Sequence, residues 1–340
     1  MGEDKPRPYN YFLILSEEAA NLNFEISAED SGKRLDAYLA DKIENWSRSR
    51  LQKLIDEGDV LVNQKEVKSS YKVRDGDEID VELTELPADV FEPENIPIDI
   101  VFEDEFLAVI NKRAGMVVHP GAGVSGGTLA NAIAWHFKLS ESPTSTGGLK
   151  SRVSNRIGIV HRLDKDTSGL IVVAKDEATH EKLSEQFRER QVFKSYVALV
   201  HGEMAENAGK IEAPIAREKH NRTKMSIKQY GRYALSLWKV KKRFEKFTLL
   251  AVEIKTGRTH QIRIHLAHIN HPVVGDETYN AGRDKTVRNV NVRQAIDGLD
   301  RFFLHAEKLS FTHPATNEKM NFTAPLPTEL TDLLEVIENS

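Results

Sequence analysis

Residues 76–105 (GDEIDVELTELPADVFEPENIPIDIVFEDE) hold twelve Asp and Glu and not one Lys or Arg. Acids that repel one another, together with Pro87, Pro93 and Pro97, make residues 86–97 read as a semi-rigid acidic linker. The chain is therefore expected to fold as two domains, which is also the number suggested by 340 residues.

The acidic run hides a second asymmetry. Residues 1–30 sum to −5, residues 31–75 to +2 and residues 106–340 to +10, against −5 for the whole chain. The long C-terminal part has the sign that attracts a polyanion, although such a charge also serves plain solubility. The chain has no cysteine, which excludes disulfides, iron–sulfur clusters, cysteine-rich zinc sites and thiol nucleophiles, and fits a reducing compartment. Near the start only Tyr11–Leu15 is apolar, too short for a secretion signal, and no 18-residue apolar run exists for a membrane span. A cytoplasmic, soluble monomer without membrane association is the expectation.

Residues 1–22 show no period and read as a tail. From residue 31 the pattern sharpens: Leu35, Leu39 and Ile43 share one helical face, and SRSRLQKLIDEG predicts a second helix, with Ser47 as N-cap and Gly58 just past its end. Leu51, Leu54 and Ile55 form its buried side. A strand DVLVN, a turn at Asn63-Gln64 and a strand pair around Asp75-Gly76 complete a module over 23–85. Residues 98–330 read as a second domain, with 331–340 as a terminal end. Its strand-like segments FLAVI, GLIVVAK, SYVALVHG and FTLLAVEI do not alternate regularly with its helical segments TLANAIAWHF and DEATHEKLSEQFRER. An α+β fold with a mixed, largely antiparallel sheet is expected.

Two patterns are rejected. Gly121-Ala-Gly123-Val-Ser-Gly126 matches a dinucleotide fingerprint, but the region about 20 residues on, ESPTSTGGLKSR, reads as a loop with no strand and no suitably placed acid. His260, His265, His268 and His271 lack the helical i, i+4 pairing and the carboxylate of a metal site, so they read as surface or hydrogen-bonding histidines and no metal is expected.

The most informative segment is NRIGIVHRLDKDTSGLIVVAK. A polar loop, His161 to Gly169, lies between apolar strand-like runs, and Asp166, Thr167, Ser168 and Gly169 let the backbone turn back sharply. Asp164 stands in it between Arg162 and Lys165, cations that favour its ionised form, as a nucleophile or base requires; a structural turn-capping Asp is the plainer reading of these residues alone.

His161-Arg-Leu-Asp-Lys-Asp-Thr-Ser-Gly169 resembles the signature of the ribosomal large-subunit pseudouridine synthases, and the resemblance spans most of the chain. Asn111 to Gly121, Lys194-Ser195-Tyr196, Thr256 to His265, and a block from Arg301 to Pro314 are similar to the family's further motifs. Lys33 to Asp77 resembles the alpha-L RNA-binding domain, and the two-domain layout is closest to the family's D-type subgroup. The chain departs from the pattern at Arg113 and Ile157, where Pro is usual, and at Asn280, where Gly is usual.

The resemblance implies an α+β protein, an alpha-L module followed by a pseudouridine synthase domain, that isomerises uridine in large-subunit ribosomal RNA or a pre-ribosomal particle, without a cofactor. It implies Asp164 as the catalytic residue at C1′, Tyr196 against the uracil face and Arg263 as the ion-pair partner of Asp164. Arg263 has independent support: on a helix starting near Thr259 it stands about 100° from Ile262, off the Ile262/Leu266/Ile269 face. Ile264 is expected beside the base and Arg162 in the place of a flipped-out nucleotide or on a phosphate. Further contacts are expected from the basic stretch Arg217 to Lys246, with eleven Lys and Arg against two Glu, and from Arg34, Arg48, Arg50 and Lys53 in the N-terminal module. Transfer-RNA uridines are the alternative substrate, and a non-catalytic ribosome-assembly factor is the alternative class.

Overall fold

In a computed structural model of the chain, the described residues are 20–43, 46, 48–56, 58–83, 92–119, 124, 126–138, 158–218 and 224–340. They fall into two compact units, one N-terminal and one running from the acidic segment to the end of the chain.

In the first unit, β1 (Ala20–Glu25), α1 (Leu35–Lys42), α2 (Arg48–Asp56), β2 (Val60–Val62), β3 (Lys65–Glu66) and β4 (Glu78–Leu83) form two helices on a sheet of order β1-β4-β2-β3. Leu35, Leu39 and Ile43 bury as their spacing predicts, as do Leu51, Leu54 and Ile55. Ser47 lies outside the described residues. Gly58 ends α2 as expected: at φ +75° its N–H bonds the Ile55 carbonyl while the Asp59 N–H reaches Leu54, the paired closure of a helix C-terminus. Asn63 and Gln64, both at positive φ, make the tight β2–β3 turn.

Two expectations fail here. The strand pair around Asp75-Gly76 is a single strand, β4, because the Asp77 carboxylate closes the turn on Arg74 N–H, Asn63 and Tyr71. β4 pairs antiparallel with β2 on one side and, on the other, with β1, which starts at Ala20, inside the stretch read as tail.

The second unit is built on β5 (Asp99–Glu103), β6 (Leu107–Lys112), α3 (Leu129–His136), β7 (Gly158–Ile159), β8 (Ser168–Ala174), α4 (Glu177–Arg188), β9 (Phe193–His201), β10 (Ala208–Glu212), β11 (Ile215–Arg217), β12 (Met225–Ile227), β13 (Leu235–Arg243), β14 (Phe247–Ile254), α5 (Gln261–His268), α6 (Val290–Asp297), β15 (Leu304–Thr312), β16 (Lys319–Thr323) and α7 (Thr328–Glu338). The main sheet runs β10-β13-β14-β9-β15-β8-β6-β5, with β16 on β15 and β7 on β8. Its pairings are antiparallel except β8 with β15, so the sheet is mixed and largely antiparallel. Because β6 and β8 pair antiparallel on either side of α3, no parallel βαβ unit follows the glycine run among the described residues, and much of that run lies outside them.

The ends of this unit differ from expectation. Glu94, within the stretch read as linker, accepts the Gly127 N–H and donates its own N–H to Asn131, so residues 92–97 lie along the start of α3. Leu330, Leu333 and Ile337 of α7 belong to the main core, so the fold continues through 331–340.

Candidate active site

The loop from His161 to Gly169 is fastened at several points. His161 stacks on Phe187 at 4.5 Å, and its Nε2 accepts the Val172 N–H (3.0 Å). Burial holds that imidazole neutral, with its pKa down at about 3. The Thr167 N–H donates to the Asp164 carbonyl (3.1 Å). Lys112, 1 % exposed at the end of β6, donates to the carbonyls of Lys165 (2.9 Å), Met116 (2.8 Å) and Arg113 (3.0 Å). Burial pulls its ammonium down to about 7, while three carbonyl acceptors suit the charged form. At the far end, Gly169 (φ +112°) pairs with Ala306, and a Cβ there would meet the Ala306 carbonyl oxygen at 2.3 Å.

Asp164, held by this loop, keeps its side chain 20 % exposed. Burial disfavours its charge, but His260, Arg263 and Arg162 outweigh that and hold its pKa below the ordinary carboxylate value. Arg263 Nη1 lies 3.3 Å from Asp164 Oδ2. The rest of its guanidinium is committed elsewhere: Nε and Nη2 grip the buried Asp276 carboxylate at 2.8 and 2.9 Å, and the guanidinium carbon lies 4.2 Å from the Phe302 ring centre. Asp276 also accepts the N–H groups of Thr278 and Tyr279. The result is an oriented cation that presents Nη1 to Asp164.

Tyr196, from β9, is 6 % exposed. Burial, then the Asp164 charge, push its phenol up, so it remains neutral at physiological pH. Arg162 is exposed. Ile264 packs in a separate apolar cluster with Ile215, Met225 and Ala234, against the β11–β12 hairpin.

In the N-terminal unit, Arg34 and Arg48 converge on the fully buried Asp36, at 2.9 and 3.1 Å, and Gln52 joins them. The Arg34 guanidinium, then Arg48 and Gln52, hold the Asp36 carboxyl far down against the cost of its burial. Both arginine side chains stay about half exposed. The side chains of Arg50 and Lys53 lie outside the described residues. In the basic stretch, Lys241 pairs with Glu307, Lys242 with Glu338, and Arg243 bonds the Met204 and Glu206 carbonyls, so part of that charge is structural.

Sequence reasoning missed several members of the site. Of the surface or hydrogen-bonding reading, His260 and His265 take the second form and are buried: His260 bonds the Tyr279 hydroxyl (2.7 Å), and His265 bonds Ser236 Oγ and the Ala213 carbonyl. Lys112, Asp276, Arg301 and Ser168 were not singled out for roles of their own. Arg301 Nη2 donates to Ser168 Oγ (3.0 Å), which in turn meets His305 Nδ1 (2.9 Å). The available signal was a charged residue ending a strongly apolar run, as Lys112 does after FLAVIN and Asp276 after PVVG.

Asp164, on the loop before β8, and Arg263, on α5, thus form an oriented ion pair in the unit that follows the small N-terminal module. Residues 106–268 match the RNA pseudouridylate synthase family and residues 33–79 the S4 domain. The chain is 40 % identical over 322 residues to a ribosomal large subunit pseudouridine synthase D of Pasteurella multocida, covering 93 % of this chain and 95 % of that protein. It is 43 % identical over 312 residues to an uncharacterized RNA pseudouridine synthase of Aquifex aeolicus, covering 90 % and 93 %. Among solved structures, human RNA pseudouridylate synthase domain containing 1 shares the fold at TM-score 0.52 and 24 % identity, over 73 % of this chain and 97 % of that one. The chain belongs to the RNA pseudouridine synthase family, with an S4 RNA-binding domain at its N-terminus. It is an isomerase that acts on RNA.

Proposed function

We propose that this enzyme converts specific uridines of large-subunit ribosomal RNA to pseudouridine, with Asp164 acting at C1′ of a flipped-out nucleotide. The observation that carries the reading is the Arg263–Asp164 contact, backed by Asp276, beside an ionised carboxylate and a neutral Tyr196. In the reaction the N1–C1′ bond breaks, uracil turns and C5 bonds to C1′. The C5 hydrogen leaves as a proton and N1 gains one, so atoms balance without an oxidant or donor.

Asp164 supplies the negative oxygen facing C1′. Arg263 orients it without neutralising both oxygens. The Tyr196 ring packs against the uracil face, and its neutral phenol does not serve as a phenolate base. Ile264 lines the far side of the base. A paired uridine cannot reach a carboxylate on a fastened loop, so the base is extruded, least expensively from an RNA loop. Arg162, exposed beside Asp164, fills the vacated place or grips the phosphate. Arg34, Arg48, Arg50 and Lys53 of residues 23–85 anchor the RNA while residues 98–330 select the uridine, in a cytoplasmic monomer.

Tritium release from large-subunit rRNA transcript carrying [5-³H]uridine tests this. Release by wild type and none by Asp164→Asn is the expected result. Release by both assigns the chemistry to another residue, and release by neither, with RNA bound, overturns the reading for that substrate.

A further inference from the structure

Tyr233 precedes β13 and is 45 % exposed, yet it is held from three directions. Its hydroxyl donates to Glu212 (3.2 Å), its carbonyl accepts from Arg258 Nε (3.4 Å), and the guanidinium carbon of Arg190 lies 5.7 Å from its ring centre. Arg190 stands just past α4 at φ +58°, a left-handed position where glycine is the usual residue because a Cβ is crowded there. An arginine in that place keeps a guanidinium where the backbone would favour none. The platform also connects to the catalytic helix: the Arg258 N–H donates to the side chain of Gln261, two residues before Arg263.

We propose that Tyr233, with Arg190 and Arg258, is a stacking subsite for an unpaired nucleobase flanking the reacting uridine. The inference rests on the RNA reading given above and adds a binding site to it. A fixed aromatic face and a planar guanidinium each stack on any base, and the cations beside them suit the phosphodiester that comes with it. Single-stranded RNA presents both features in one nucleotide repeat.

The test is binding of fluorescein-labelled decauridylate to the full chain over a series of KCl concentrations. Tyr233→Ala is expected to weaken binding roughly tenfold without changing the slope of log affinity against log salt, because stacking releases no counterions. Tyr233→Phe keeps the ring and is expected to bind within about twofold of wild type. Arg190→Gly relaxes the backbone rather than straining it; it should weaken binding and lower the slope by about 0.7, the share of one charge on a single strand. Wild-type affinity in Tyr233→Ala, or equal loss in the Phe variant, would overturn the subsite.

Pseudouridine formation on rRNA transcript separates the two readings. Tyr233-dependent binding by a wild type that makes no pseudouridine leaves the subsite and removes the enzyme reading. Turnover by wild type with KM unchanged in Tyr233→Ala removes the subsite alone.

Discussion

Arg263 is 5 % exposed and serves two carboxylates unequally, two short bonds to Asp276 and one longer contact to Asp164. A buried cation that loses its principal partner keeps only the longer Asp164 contact, and breaking a buried pair in this way costs up to about 3–5 kcal/mol. Asp276→Ala should therefore lower unfolding free energy by about that amount, read from urea denaturation. Arg263→Lys keeps the charge but not the planar fork, so it cannot hold Asp276 and reach Asp164 together. It should lower kcat by at least about tenfold, with the RNA dissociation constant unchanged. Because neighbouring positive charges hold the Asp164 pKa below its ordinary 3.8, activity should fall only as pH drops below that range. Arg263→Gln removes one such charge and should move the acid limb of kcat/KM to higher pH.

Among the elements, β8 is tightly constrained, because Gly169 passes within contact distance of the Ala306 backbone. Gly169→Ala should separate β8 from β15, displace the loop carrying Asp164 and abolish turnover, while far-UV circular dichroism stays near wild type. The same element shows what the sequence made legible. The apolar runs announced β6, β8, β9 and β14, and the turn-rich string between the strands marked the loop that carries Asp164. A periodic signal reports which face of an element is buried, but not which distant strand lies beside it. That is why β1 was missed: its six residues acquire meaning only from β4, whose register pairs Ala20 with Leu83. Asp276 was hidden for a similar reason, since its partner lies on α5 and no local pattern couples a loop acid to a helix arginine.

For the whole molecule, part of the acid sensitivity comes from imidazoles kept neutral. His119 and His161 both sit near pKa 3, against 6.5 when free, mainly because of burial. Between those values the unfolded chain takes up protons that the fold refuses, so the stability contributed by these two imidazoles is complete above pH 6.5 and declines as pH falls towards 3. The melting temperature should drop between pH 7 and pH 5, and His161→Gln should flatten that drop. Removal of residues 1–85 should weaken rRNA binding and lower its salt slope, as the loss of phosphate contacts requires. Unchanged affinity and slope would show that the S4 domain does not anchor this RNA. The parallel register of Ser168 with His305 and Gly169 with Ala306 joins two stretches of chain made far apart in time during translation. Ser168 is also held by Arg301, which is paired with Glu329 of α7. A nascent chain can thus display a folded S4 domain long before Asp164 has a seat. Catalytic competence should arrive only once α7 has been synthesised, and a stop codon before residue 328 should yield a chain that binds RNA but leaves its uridines unchanged.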